Sequence, residues 1–426
     1  MLVQHGSEGK GHQFFLRGFD AIHGADLLVR VGGVPWNEWS NIHAQGYLDL
    51  GIVIPEVIQS IRVRKGPFAL DDGAFAMAGS VDFDLGVPED DRGTTVTYTA
   101  GTTNRHRGVV TWAAPDGGSF VAGEGVFDQG YGEEREIWRG TALGRAQWDL
   151  RSGGTLSLLA GGGGAGFELP GLVRDDDVQA GRIGFYDAYL DRSGGLSARA
   201  LVDLTHEVRF GSHHLLTRLW TGYRFLDLEE NYTGYLEDPE HGDARHQQQG
   251  GFSIGADVAH TVALTPTVAL LSGVGIHGDV FDQFEDHVDP AGERVAQSRS
   301  LAVSQLLADA RLGVRWSPVD ELRLDVGVRA DLANVRIVDH LADDAAGAST
   351  LFAASPRVSL AWFALPRLHV FASYGRGLRP PEARAASSFT PSHVGSAMRW
   401  PVTPGARPSR PVTQSRSASA HRSLGG

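Results

Sequence analysis

Arg62, Arg64 and Lys65 partly alternate with Ile61 and Val63, which sets cations along one face of a short extended run. Asp203, Glu207, Asp309, Asp325 and Asp331 recur on the polar faces of much longer alternating segments. Groups of these types at these spacings make ion pairs; they do not assemble a nucleophile with its base. No GxSxG elbow is present. There is no cysteine, which removes disulfides, thiolate zinc sites, iron–sulfur clusters and a thiol nucleophile. The 17 histidines show no HExxH or paired ligand spacing, and His241, His246, His287 and His340 read as solvated loop residues. Asp175, Asp176 and Asp177 lack EF-hand spacing. Gly161–Gly164 lacks the Gly-Lys-Ser/Thr of a phosphate loop and reads as a flexible loop. The expectation is no enzyme, no bound metal and no cofactor.

The elements that must position these charges are β-strands. In 198–209, Ala198, Ala200, Val202, Leu204, His206 and Val208 share one face, opposite Arg199, Asp203, Glu207 and Arg209. In 321–332, Leu322, Leu324, Val326, Val328 and Leu332 oppose Arg323, Asp325, Arg329 and Asp331. The segment 305–316 repeats the pattern. Such runs exceed the roughly 5–6 residues of an average soluble strand and reach the roughly 9–11 that cross a bilayer. Trp148, Trp220, Tyr223, Phe225, Trp316, Trp362 and Tyr374 fall near strand ends, as in an interfacial girdle. Thirteen strands are expected between 94 and 377, one of them at 155–160. Tight turns should alternate with long loops at 129–138, 161–195, 227–249, 279–299 and 336–351. Residues 1–86 differ: short apolar runs are punctuated by Pro and Gly, and Pro55–Ile61 reads as a short helix.

Charge and composition narrow the class further. Acidic residues outnumber basic ones by 51 to 38, for a net charge of −13, which argues against a nucleic-acid partner. The 42% hydrophobic content is too high for a disordered chain. No Asp or Glu follows Glu382, and residues 395–426 read as a basic Ser/Pro/Arg-rich tail, disordered or frame-shifted.

One block of motifs resembles the plug of a TonB-dependent outer-membrane receptor. It runs through Phe15-Leu16-Arg17-Gly18-Phe19, Gly32-Gly33-Val34-Pro35-Trp36-Asn37, Ser40-Asn41-Ile42 to Asp49-Leu50, Ile54-Pro55-Glu56, Arg62-Val63-Arg64-Lys65-Gly66-Pro67 and Asp72-Gly73-Ala74 to Gly79-Ser80. A barrel-type motif recurs at Ala372-Ser373-Tyr374-Gly375-Arg376-Gly377-Leu378-Arg379-Pro380-Pro381-Glu382. The resemblance implies a mainly β fold: a transmembrane antiparallel β-barrel of about 22 strands around an N-terminal α/β plug domain. Residues 1–86 would be the plug, short of its start, and 87–394 a partial barrel. It also implies outer-membrane lipid as surroundings, a scarce solute (a metal chelate such as siderophore-iron, cobalamin or a glycan) and energy from the TonB–ExbB–ExbD complex. No signal peptide or TonB box is seen, so the chain reads as a fragment. Competing readings are a passive porin-like or adhesive barrel, against which the plug block argues, and a soluble β-rich binding protein.

Carried onto this chain, the resemblance places Arg17, Arg62, Arg64 and Lys65 against the barrel wall, with Asp325 and Asp331 among the carboxylates that would receive them. It places solute contact at the plug apex, where Asp20, His23, Trp36, Asn37, Trp39 and His43 are the candidates. Trp36 and Trp39 could stack on a planar solute or pack plug against barrel.

Overall fold

The computed structural model describes residues 2–4, 10–16, 18–151, 153–190, 192–239, 242–365 and 367–384. Arg17, His241 and the expected tail at 395–426 lie outside them.

The first part holds two small sheets. β1 (Leu2–Gln4), β2 (His12–Leu16) and β3 (Phe19–Ala21) form one. β4 (Leu27–Val31), β5 (Val34–Pro35), β6 (Ile58–Lys65) and β7 (Gly79–Leu85) form the other, in the order β5-β4-β7-β6. Gly32 and Gly33 join β4 to β5 with φ of +58° and +87°, as a tight two-residue hairpin requires. The expected helix at Pro55–Ile61 is a single 3-10 turn, Pro55–Val57. From Ile58 onward the chain is extended, because Ile61 and Val63 pair with Phe83 and Val81 of β7. Branched residues favour that ladder over a helix.

The rest is one thirteen-stranded antiparallel sheet in strict chain order. Its strands are β8 (Gly93–Gly101), β9 (Arg105–Ala113), β10 (Phe120–Asp128), β11 (Ile137–Asp149), β12 (Gly154–Glu168), β13 (Gly194–Phe210) and β14 (His213–Asn231). They continue as β15 (Ala244–Thr265), β16 (Val268–Val288), β17 (Arg294–Val319), β18 (Leu322–Asp339), β19 (Ala345–Leu365) and β20 (Leu368–Gly375). The alternation works inside out. On β18, Val326, Val328 and Leu332 are exposed while Arg329 and Asp331 are buried. On β13, Val202 and Leu204 are exposed while Arg199 and Asp203 are buried. An apolar outer face and a charged inner face define a wall made for lipid outside and a polar filling inside.

The strands outrun their expected lengths. β17 has 26 residues, far more than the roughly 9–11 needed to cross a bilayer. The excess lies on the long-loop side. Past Leu332 the outward positions of β18 become Asn334 and Arg336, so the lipid band ends there and the strand continues into water. The connections shrink accordingly: 169–193, 232–243, 289–293 and 340–344. Gly161–Gly164 is strand and not loop; these glycines pair with Gly140–Leu143 on one side and Ala198–Leu201 on the other. Without side chains they carry no alternation to read. Trp220 is a second correction: it points inward, 7% exposed, edge-on to His277 at 4.7 Å, and joins the core under the plug.

Candidate functional site

The plug loop 36–49 is the best-anchored contact between the two parts. Glu38, 4% exposed, receives the guanidinium of Arg199 from β13, and Arg224 of β14 lies 3.4 Å away. Gln249 of β15 donates to the same carboxylate at 2.9 Å, and Asn41 at 2.7 Å. Arg199 also reaches toward Asp49 at 3.8 Å and lies over the Trp36 ring at 5.1 Å. Lower on the wall, Arg107 of β9 grips Glu56 with two hydrogen bonds of 2.6 and 2.7 Å. That contact holds the Glu56 carboxyl below its ordinary pKa.

Hydrogen bonds to amide, hydroxyl and backbone groups complete the seat. The Gln249 amide oxygen accepts from the Ile42 N–H at 2.8 Å, and Gln305 donates to the Ser40 hydroxyl at 2.5 Å. Arg218 donates to the Gly33 carbonyl at 2.8 Å and Arg145 to that of Leu85 at 3.0 Å. Gly33 is favoured by its φ of +87°; a Cβ there would meet only the movable tip of Arg218, at 2.4 Å. After β20 the chain folds back over the same loop as a strap. Trp39 donates to the Pro381 carbonyl at 2.6 Å, Gln45 to that of Pro380 at 2.8 Å, and Arg384 to those of Ile42 and His43 at 3.1 Å.

The expected plug–wall charges sit elsewhere. Arg64 pairs with Asp71, Asp72 and Asp82 at 2.7, 3.1 and 3.0 Å, all within the plug. Arg62 faces Asp84 at 3.4 Å, also within the plug, and Lys65 is exposed at the end of β6. On the wall, Asp325 is held by Arg315 and Arg323, and Asp331 by Arg329. Asp203 pairs with Arg218, Glu207 with Arg209 and His214, and Asp309 with Arg311 and Arg329. The wall carboxylates find partners two residues along their own strand or on the adjoining strand, and Arg64 takes Asp71 and Asp72 from the loop after β6. The contacts that do cross run mostly the other way, from wall arginines to plug carboxylates. Burial works against the Arg30 charge, yet Asp71, Asp72 and Asp82 outweigh it and raise its pKa. Between these two self-paired sets lies a cavity of about 640 Å³, lined by Arg64 and Asp82 of the plug and Asp257, Asp309 and Arg311 of the wall.

The expected solute residues divide in two. Trp36, Asn37 and Trp39 are at most 6% exposed and are spent on structure. Trp36 donates to the Asp49 carbonyl at 2.5 Å. The Asn37 side chain accepts from Val29 N–H at 2.8 Å and donates to the carbonyls of Leu27 and Gly24 at 2.9 and 3.0 Å. Both indoles are nearly buried, and Trp39 lines the 640 Å³ cavity. Asp20 is exposed and accepts from Gln13, away from this group. His23 and His43 do come together, edge to face at 4.7 Å, with Tyr47 within 6.0 Å of each. His43 Nδ1 is 3.1 Å from the Gln247 amide oxygen and 3.2 Å from the Tyr232 hydroxyl. Tyr232 opens the 232–243 loop, so this cluster forms the outward apex of the plug. Burial, with Lys10 and His23 adding to it, holds His43 well below the usual histidine pKa, so it is neutral at pH 7. Burial and nearby Glu230 push the Tyr232 hydroxyl up.

Glu38, Glu56, Arg107, Arg199, Arg224, Gln249 and Tyr232 were not singled out by sequence. Arg199 had a signal, lying opposite Val202 and Leu204 on an alternating strand. Glu38 had none, because it lies in an irregular loop, and Glu56 falls in the Ile54-Pro55-Glu56 motif on a 3-10 turn, with no sign there of its wall partner.

Comparison with known families follows the same geometry. A family described as the TonB-dependent Receptor Plug Domain matches residues 1–80, and one described as TonB dependent receptor-like, beta-barrel matches residues 138–413. No curated protein matches the chain. Among solved structures, the ferric citrate transporter FecA in its unliganded form superposes with a TM-score of 0.73 at 12% identity, covering 91% of this chain and 60% of its own. The copper transporter OprC gives 0.67 at 16%, covering 90% and 59%. The siderophore receptor PiuA from Acinetobacter baumannii gives 0.69 at 13%, covering 87% and 60%. The chain thus spans about 60% of the length of these structures. With a plug seated on a lipid-facing antiparallel wall, and with well over half of its residues matched to the barrel, the chain belongs to the TonB-dependent receptors of the outer membrane.

Proposed function

We propose that this protein serves as an outer-membrane active-transport receptor for a scarce solute, energised through the TonB–ExbB–ExbD complex. The observation that carries the reading is the character of the plug seat. The plug is held by paired charges, amides and backbone carbonyls around Glu38 and Gln249. Polar contacts of this kind exchange for water at little net cost, which lowers the cost of shifting the plug against the apolar packing it shares with Leu159, Leu201 and Trp220 of the wall. A passive porin or an adhesin has no use for such an internal domain.

The solute would be a metal chelate, siderophore-iron first, with cobalamin or a glycan as the other classes. Two features support a chelate: the neutral His43 imidazole beside Tyr47 and Tyr232 at the apex, and fold neighbours whose own solutes are ferric citrate, copper and a siderophore. His23 and His43 would touch it; Trp36, Asn37 and Trp39 would hold the loop that presents them.

The test is binding of ferric chelates, cobalamin and oligosaccharides to the detergent-solubilised chain, read by intrinsic tryptophan fluorescence. One class should bind, and His43→Ala should weaken that binding about tenfold, the equivalent of about 1.4 kcal/mol. In cells, uptake should stop when TonB is deleted. Uptake that persists without TonB contradicts the proposal.

A further inference from the structure

Histidine is an unusual residue for the lipid face of a membrane wall, yet two of them meet there. On β13 and β14, Phe210 and His213 flank a two-residue turn, and His260 of β15 lies beside them. The three rings form one stack. Phe210 and His213 have centroids 5.0 Å apart and planes at 9°, and His213 and His260 are 5.2 Å apart at 10°. His213 Nδ1 and His260 Nε2 are 3.0 Å apart, a hydrogen bond between rings.

Strand alternation settles which way they point. His260 follows exposed Phe252 and Ile254 by even steps on β15, and Phe210 is 52% exposed. On the short-turn side, Trp148, Trp316 and Trp362 stand at the comparable height on β11, β17 and β19, each close to its strand end and 45–48% exposed. The stack therefore occupies a girdle position, where aromatic rings meet lipid headgroups.

Among the described residues, no carboxylate pairs with either imidazole. Across the ladder, Val208, Leu215, His260 and Ser272 are in register, and so are His213, Val262 and Leu270. His206 is the further titratable group on this face of β13. Glu207, Arg209 and His214 of the same strands point to the lumen and close on one another at 3.0 and 2.8 Å.

We propose that Phe210, His213 and His260 form a protonation-gated site for the phosphodiester of an anionic phospholipid in the inner leaflet. A neutral pair joined by one N–H···N bond presents one outward donor and one outward acceptor. One added proton keeps that bond and turns the acceptor into a second donor, giving a cation with two N–H groups for phosphate oxygens. Phe210 shields one ring face and packs on acyl carbon. Continuity with the lipid-facing wall selects a membrane lipid as the occupant.

The detergent-solubilised chain should be titrated with short-chain phosphatidylglycerol or phosphatidylcholine and the retained lipid read by native mass spectrometry. The first phosphatidylglycerol should bind about fivefold more tightly at pH 5.5 than at pH 8, the worth of about one interfacial charge. The H213Q/H260Q double variant should lose that pH dependence and keep the heat-modifiable gel mobility of a folded barrel. His214→Gln, on the lumen side of the same turn, should retain it. Equal affinity at both pH values, unchanged pH dependence in the double variant, or equal gain for phosphatidylcholine would overturn the proposal. Retention of inorganic phosphate in place of the lipid would also overturn it.

Discussion

Along β13–β15 the plug loop 36–49 touches the wall through buried charge, whereas along β16–β18 the plug meets the wall mainly through apolar packing of Leu28, Ala74 and Phe75 on Phe281, Val303 and Ala333, beside a cavity of about 640 Å³. The two regions contain the same residue types. They differ in where each charge finds its partner. Glu38 has no cation of its own within the plug loop and takes Arg199 and Arg224 from the wall. Arg30 and Arg64 are satisfied by Asp71, Asp72 and Asp82 of the plug, and Arg311 and Arg329 by Asp257, Asp309 and Asp331 of the wall. Charges paired across the boundary fasten it. Charges paired on their own side do not fasten it, and apolar packing holds the two surfaces together there.

Four measurements would break or sharpen this contrast. Glu38→Ala has the largest expected effect, because it leaves Arg199 and part of Arg224 buried without their counter-charge. Losing one partner of such a pair costs about 3–5 kcal/mol. Hydrogen exchange at the Ile42 amide, bonded to Gln249, should accelerate accordingly, while the amides of β6 and β7 should not change. Arg30→Met should do the reverse. It should loosen β4 and β7 by about 2 kcal/mol and leave Ile42 protected.

The third is pH. Burial lowers the His43 pKa in the folded chain, so the unfolded chain binds the extra proton first. Stability is full above the ordinary histidine pKa and falls as pH drops below it, by at most about 1.4 kcal/mol per pH unit. Urea midpoints at pH 7.5 and 5.5 should diverge less in His43→Gln. The smallest effect belongs to Glu56→Gln. This pair is partly open to water and is worth about 0.5–1 kcal/mol. Because Arg107 depresses the Glu56 pKa, that contribution holds at neutral pH and fades in acid below the usual glutamate pKa.

The architecture was legible in the sequence where side chains alternate. β13, β17 and β18 could be read residue by residue, because an apolar lipid face opposite a charged lumen face is a period-2 signal. It vanished at Gly161–Gly164, where strand pairing persists without side chains, and inverted beyond Leu332, where the outward positions turn polar and inward Ala333, Val335 and Ile337 join the core. Site residues were harder. His23 and His43, both in the motif-dense plug, come together with ring centroids 4.7 Å apart. Trp36 and Trp39 have the composition of a binding surface, and only the fold reveals that their indole N–H groups are tied to the Asp49 and Pro381 carbonyls. The sense of the plug–wall pairing came out inverted for Arg62 and Arg64. Alternation shows which residues face inward but not which inward charges are already neutralised by neighbours on the adjoining strand.

A double-mutant cycle between Glu38→Gln and Arg199→Met, read by exchange at the Ile42 amide in the lipid-reconstituted chain, tests the central claim that the plug is fastened by its own carboxylates on wall arginines. The account predicts a coupling of about 2 kcal/mol or more. Additive effects, with coupling near zero, would contradict it.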